Sequence, residues 1–151
     1  MIIIGEKING AIPSVRQAII DRDAGFIRDR AAAQAAAGAD YIDCAPSTST
    51  DVEYETMLWL LDLIQGAADT PVCIDSPDPR LLAMVIEEGH VRRPGMVNSV
   101  SEEGDKCEII FPLLAGTDWK VVGLTCDSGG IPADPEKKID LAKRMIEKAV
   151  R

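Results

Sequence analysis

Short apolar runs alternate with longer helical stretches along the chain, and each run ends in polar side chains. Met1-Ile2-Ile3-Ile4-Gly5 leads into Glu6, Lys7 and Asn9, and Asp40-Tyr41-Ile42 into Asp43. Val72-Cys73-Ile74 leads into Asp75 and Ser76, Met96-Val97 into Asn98 and Ser99, and Val121-Val122-Gly123-Leu124 into Thr125, Cys126 and Asp127. Runs of this length bounded by turn residues predict strands. The stretches between them read as helices: Val15 to Asp21 capped by Ser14, Ala24 to Ala37 stopped by Gly38, and Val52 to Gln65 capped by Asp51. Further helices follow over Arg80 to Glu88 behind Pro77-Asp78-Pro79, over Lys106 to Leu114, and from Asp134-Pro135-Glu136 to the end of the chain. The alanines of Ala31-Ala32-Ala33-Gln34-Ala35-Ala36-Ala37 suit close packing of a helix on a sheet. Met57, Leu58, Leu60, Leu61 and Ile64 form a broad apolar helical stripe.

Strand and helix units recurring at intervals of roughly thirty residues predict a parallel sheet. Parallel strands carry their C-terminal ends to one rim, where α/β proteins bind ligands. An open doubly wound sheet and a (β/α)8 barrel both fit. The turn Gly5-Glu6-Lys7-Ile8-Asn9-Gly10 lacks the G-x-G-x-x-G spacing of a dinucleotide site, and no phosphate-binding G-x-x-x-x-G-K-[ST] loop occurs. Gly129-Gly130 reads as loop flexibility. A barrel leaves the site to the polar strand ends themselves, which this sequence supplies.

With 151 residues, 46% hydrophobic and 27% charged, the chain reads as one globular α/β domain. A formal net charge of −9 argues against a nucleic-acid partner, since phosphate binding needs a basic surface. No apolar run approaches the ~20 residues of a membrane span, and Met1 to Ile4 is too short for a signal segment. A cytoplasmic protein is the expectation. Cys44, Cys73, Cys107 and Cys126 form no C-x-x-C pair, and His90 is the sole histidine, so neither a zinc site nor a Ser-His-Asp triad is expected. The thiols read as reduced, with Cys73 in the core and Cys44 and Cys126 just past strand ends, facing the rim.

Taken together, Ile3-Ile4-Gly5-Glu6-Lys7-Ile8-Asn9-Gly10, Ala37 to Asp43, Cys73 to Ser76, Met96 to Ser99 and Gly123 to Thr125 resemble, in order and over essentially the whole chain, the pterin-binding methyltransferases that work with corrinoid proteins. The relatives are methyltetrahydrofolate:corrinoid/iron–sulfur protein methyltransferase and the tetrahydrofolate methyltransferase components of O-demethylase and methylamine-type systems. Dihydropteroate synthase shares the barrel, but its first strand normally carries an Asn-x-Thr-x-Asp-Ser type segment that Gly5 to Gly10 does not match.

The resemblance implies that Asp75 and Asn98 hydrogen-bond the pterin, whose edge of N–H donors beside a carbonyl suits a carboxylate and an amide. The bland alternatives are a helix-capping role for Asp75 and a turn for Asn98. Glu6 and Asn9 either reach the pterin or hold the loops, Ser99 joins them at the site, and Asp43 and Thr125 support it. Where the family often has an asparagine two residues after the second-strand aspartate, this chain has Ala45. The implied substrates are tetrahydrofolate and 5-methyltetrahydrofolate, and the implied partner is a corrinoid protein. Methyl passes between N5 and cobalt without a covalent enzyme intermediate, and cleavage at N5 requires its protonation or strong hydrogen bonding at the transition state. The demethylase relatives run from methyl-corrinoid to tetrahydrofolate.

Five units fit before Arg151, whereas a closed barrel has eight and about 250 residues. The family's sixth-strand aspartate and its seventh-strand, N5-interacting asparagine would lie beyond Arg151. Weak or absent turnover by these residues alone is therefore expected, along with a homodimer or completion by another segment, because open parallel edges invite pairing. Two rivals stand beside this reading. One is a barrel acting on a phosphorylated or metal-bound substrate through Glu6, Asp43 and Asp75; the other is a binding or assembly module without turnover.

Overall fold

Each apolar run becomes a strand of a single sheet in the computed structural model, which describes residues 1–150. The strands are β1 (Ile4–Gly5), β2 (Tyr41–Cys44), β3 (Val72–Asp75), β4 (Met96–Glu102) and β5 (Lys120–Asp127). The helices are α1 (Pro13–Ile20), α2 (Ala24–Ala36), α3 (Thr50–Ala67), α4 (Pro79–Glu87), α5 (Lys106–Leu114) and α6 (Pro135–Ala149). Strand order follows the chain, β1-β2-β3-β4-β5, and every pairing is parallel. The result is a curled half-barrel of five β/α units, an incomplete TIM-barrel-like fold with β1 and β5 as open edges. No helix among the described residues is long and apolar enough to cross a membrane.

Alternation along the strands divides the sheet into two faces. Ile42, Cys44, Val72, Ile74, Val97, Val100 and Val121 turn toward the helices and pack with Ile27, Met57, Leu60, Ile64, Leu82, Val85 and Ile110. Each fully buried side chain of this size contributes roughly 1.5–3 kcal/mol relative to exposure. The intervening residues Tyr41, Cys73 and Met96, joined by Ile4 and Val122, form a second, smaller apolar cluster on the concave face.

Gly10 brings the β1–α1 and β2–α3 loops together. Its N–H donates to the Ala45 carbonyl at 2.9 Å, and a Cβ there would sit 2.0 Å from the Pro46 carbonyl oxygen. Only glycine fits that crossing. Asn9 finishes the junction: its Oδ1 accepts from the Ala11 N–H at 2.8 Å and from the Ser47 hydroxyl at 3.1 Å.

Several local expectations are corrected. Ser14 caps nothing; α1 opens with Pro13 in its first turn, behind Ile12, and makes no side-chain cap bond. Asp51 lies inside the first turn of α3 rather than before it. Of the alanine run, only Ala31 is buried. A period of 3.6 buries Ile27, Ala31 and Gln34, with Ala35 partly buried against the same core and Ala32, Ala33, Ala36 and Ala37 exposed. Cys44 is not a rim residue: it closes β2 in the helix-facing core, its Sγ 3.4 Å from the Met57 sulfur. Cys126 is buried within β5, beside Glu103.

Candidate functional site

The concave face is built in two tiers, and the second carries the polar chemistry. Two residues beyond each member of the lower cluster, the same face is reached again. Ile4 is followed by Glu6, Tyr41 by Asp43, Cys73 by Asp75, Met96 by Asn98 and Val122 by Leu124. Asp75 and Asn98 are register partners on β3 and β4, and Asp43 pairs with Cys73. Glu6, just past β1, is close enough to act on the charge of both Asp43 and Asp75. Four sequence-predicted residues thus share one polar tier above an apolar floor.

The alternatives weighed for Asp75 and Asn98 do not survive the geometry. Asp78, not Asp75, caps α4, its carboxylate accepting from the Arg80 N–H at 2.9 Å. Asn98 lies within β4, joined to Ser99 by a cis peptide, and not in a turn. Both side chains are half-buried, Asp75 at the end of β3 and Asn98 beside it within β4.

Asp43 is the most unusual member. Only 1% exposed, it has an oxygen, Oδ1, with no hydrogen-bond partner. Burial pushes its carboxyl up to about 7, the negative charges of Asp75 and Glu6 adding to the effect and the nearby Cys73 thiol and Asn98 side chain partly offsetting it. Asp75 is also raised, first by burial and then by Glu6 and Glu53. Burial raises all four thiols, so none is poised as a thiolate nucleophile.

The support beneath Asp75 includes two residues that sequence reasoning missed. Glu53, buried in the first turn of α3, accepts from the Ser76 hydroxyl at 2.7 Å. Ser76 Oγ also accepts from the Asp78 N–H at 3.1 Å, while the Ser76 N–H donates to the Asn98 carbonyl at 3.2 Å. One serine therefore ties the ends of β3 and β4 to α3. The signal was present: Glu53 falls on the helical stripe of Met57, Leu60 and Ile64, where a carboxylate needs a buried partner. Gln34, also missed, steadies the first loop by accepting from the Lys7 N–H at 2.8 Å.

The remaining predicted residues fall elsewhere. Asn9 has its side-chain oxygen committed to the loop junction. Ser99 is half-buried at a register shift in β4. Thr125 lies on the opposite face, lining a groove of about 330 Å³ with Phe111, Ala142 and Met145 between β5 and the flanking helices. No group of three or more His, Cys, Asp or Glu side chains among the described residues is placed to hold a metal ion. The tier can accept N–H donors at carboxylates and give or accept a hydrogen bond through one amide.

No family model matches the chain. It is 52% identical over 151 residues to a methylcorrinoid:tetrahydrofolate methyltransferase of Eubacterium limosum, covering 99% of this chain and 55% of that protein. It is 29% identical to a methionine synthase of Mycobacterium tuberculosis, covering 97% of this chain and 13% of that protein. A methionine synthase of Mycobacterium leprae is 30% identical, with 97% and 12% covered. The chain spans about half the length of the first relative and about an eighth of the other two. These likenesses bear out the resemblance to pterin-binding, corrinoid-linked methyltransferases read from the strand ends.

Proposed function

We propose that this chain supplies the pterin-holding part of a methyltransferase that moves a methyl group between the cobalt of a cytoplasmic corrinoid protein and N5 of tetrahydrofolate. One observation carries the reading: Glu6, Asp43, Asp75 and Asn98 converge on one polar tier in a chain 52% identical to a methylcorrinoid:tetrahydrofolate methyltransferase. The Asp75 carboxylate accepts N–H groups of the pterin edge, and Asn98, fixed by its register with Asp75, reads the neighbouring position. Tyr41, Cys73 and Met96 form the dry floor beneath the ring, strengthening these polar contacts. The corrinoid, carried by its own protein, supplies the cobalt–methyl bond. No side chain here is needed as a nucleophile, and the raised thiols agree with that. Likeness to the methylcorrinoid:tetrahydrofolate methyltransferase of Eubacterium limosum supports transfer from methyl-corrinoid to tetrahydrofolate, as in O-demethylating systems.

Apolar side chains are exposed toward both open edges, with Ile2 and Ile3 beside β1, Leu124 on β5 and Ile146 and Val150 on and just past α6. They support completion of the barrel by a further segment or a second chain. The reading is tested by calorimetric titration with tetrahydrofolate and 5-methyltetrahydrofolate in EDTA, on the wild type and on Asp75→Ala. Binding lost in Asp75→Ala is the expected result. Equal binding by both proteins would place the ligand elsewhere.

A further inference from the structure

The polar tier raises a question that its inventory of carboxylates does not answer. Asp43 is closed off by β2, β3 and β4, and the groups around it are Glu6 from the β1 end, Cys73 and Asp75 from β3, and Asn98 from β4. Cys44 adjoins it on its own strand, and Glu53 of α3 acts on Asp75 from behind. Among the described residues no Lys, Arg or His side chain is ion-paired with Asp43, and the charges that raise it are those of Asp75 and Glu6. A second full negative charge at this depth would face Asp75 with no counter-ion and leave Oδ1 without a donor.

We propose that Asp43 is a proton-holding positioning residue of the site: it holds a proton so that it adds no further charge beside Asp75 and Glu6, and filling the site draws a proton onto it. This rests on the pterin reading given above and deepens it. Three observations carry it: near-complete burial of Asp43, its unpartnered oxygen, and its position between two other carboxylates without a cation. A flat ring laid over Asp75 and Asn98 removes the remaining water above Asp43 and strengthens the preference for the neutral form. The titration of Asp43, pushed up mainly by burial, agrees with this placement.

The balance is one proton. Where free Asp43 is ionised, binding takes a proton from solvent onto its carboxylate, and no bond in the ligand is made or broken. One-proton linkage weakens binding tenfold for each pH unit above the free titration point and leaves it flat below. An amide at this position fills the same space without titrating, so Asp43→Asn makes affinity independent of pH across that range.

Two measurements decide the matter. Carbon-13 NMR of the Asp43 carboxyl in the wild-type protein, assigned through its backbone, needs neither ligand nor variant. A midpoint near neutrality is expected, and ionisation complete by pH 5.5 overturns the proposal. Anaerobic calorimetry with tetrahydrofolate follows, in buffers of different ionisation heat at pH 6 and pH 8, on the wild type and Asp43→Asn. Uptake approaching one proton at pH 8, small at pH 6 and absent in Asp43→Asn, is expected. Binding without uptake overturns the proposal and leaves the pterin reading standing. No binding by protein whose Asp43 titrates near neutrality overturns the ligand-linked half together with the pterin reading.

Discussion

Replacing Asp43 by asparagine is expected to change how stability depends on pH, whatever the ligand. In the folded protein the carboxyl titrates near 7 because burial and neighbouring carboxylates penalise its charge; its ordinary value is 3.8. Between those values the folded state holds a proton that the unfolded chain has released. Stability therefore falls as pH rises from about 4 to about 7, and the contribution is flat outside that window. About 3 units at 1.36 kcal/mol each gives a ceiling of roughly 4 kcal/mol. That is a large share of the 5–15 kcal/mol that holds a typical domain together. Asp43→Asn keeps the shape and removes the titration, so its stability relative to wild type rises by up to roughly 4 kcal/mol between pH 4 and pH 8. Urea unfolding followed by the fluorescence of Trp59 and Trp119 at several pH values measures the difference. A difference constant within about 1 kcal/mol over that range, below the ~4 kcal/mol of the linkage, would refute the reasoning.

Gly10→Ala forces a Cβ to within 2.0 Å of the Pro46 carbonyl. Overpacking of this kind costs about 1–3 kcal/mol, and a melting midpoint lower by several degrees is expected; an unchanged midpoint would mean that the two loops do not cross there. Ser76→Ala strands the buried Glu53 carboxylate and is expected to lose about 1–3 kcal/mol in urea unfolding. A cycle with Glu53→Gln should show the two losses to be coupled, and simple additivity would sink the network. Thr125→Val, on the helix side of β5, is expected to leave tetrahydrofolate affinity by calorimetry within about twofold, inside the ~1.4 kcal/mol that a tenfold change represents. A tenfold loss would put Thr125 back at the site.

The five strands, their parallel order and two of the helix stops were legible because each rests on local signals: short apolar runs, and Gly38 or Gly89, in the left-handed region, just past a helix end. Gly66, expected to stop α3, is instead carried inside the helix, which continues to Ala67. The start of α1 was not, because Pro13 and Ser14 are adjacent and both are good helix-start residues; proline's fixed φ took the first turn and left the serine without an orphan N–H to serve. Glu53 was hidden for a different reason. A carboxylate near a helix start reads as a favourable charge at the positive end of the dipole, and its burial emerges only when β3 delivers Ser76 to it.

The strand ends teach the sharper distinction. A list of polar residues that follow apolar runs includes Thr125 as readily as Asp75, since both come directly after a run. What separates them is parity. Counting in twos from residues whose side chains meet on the concave face, Cys73 leads to Asp75 and Met96 to Asn98, whereas Val122 leads to Leu124 and passes Thr125 by. The same count brings Asp43 up from Tyr41 and Glu6 from Ile4. Parity is present in the sequence, but its origin is not: Ile4, Tyr41, Cys73, Met96 and Val122 look no different from the valines and isoleucines that face the helices until the sheet's curl assigns them a side. Once it does, an apolar tier beneath a polar one follows on four of the five strands. The fifth offers Leu124, 45% exposed, on the open edge strand. The chain thus builds a site that is polar where Glu6, Asp43, Asp75 and Asn98 meet and apolar at its β5 margin. A flat ligand with a hydrogen-bonding edge and a less polar opposite side matches that division in a way a highly charged phosphate ester does not, because among the described residues no Lys, Arg or His side chain is ion-paired with Asp43 or Asp75 to balance such a charge.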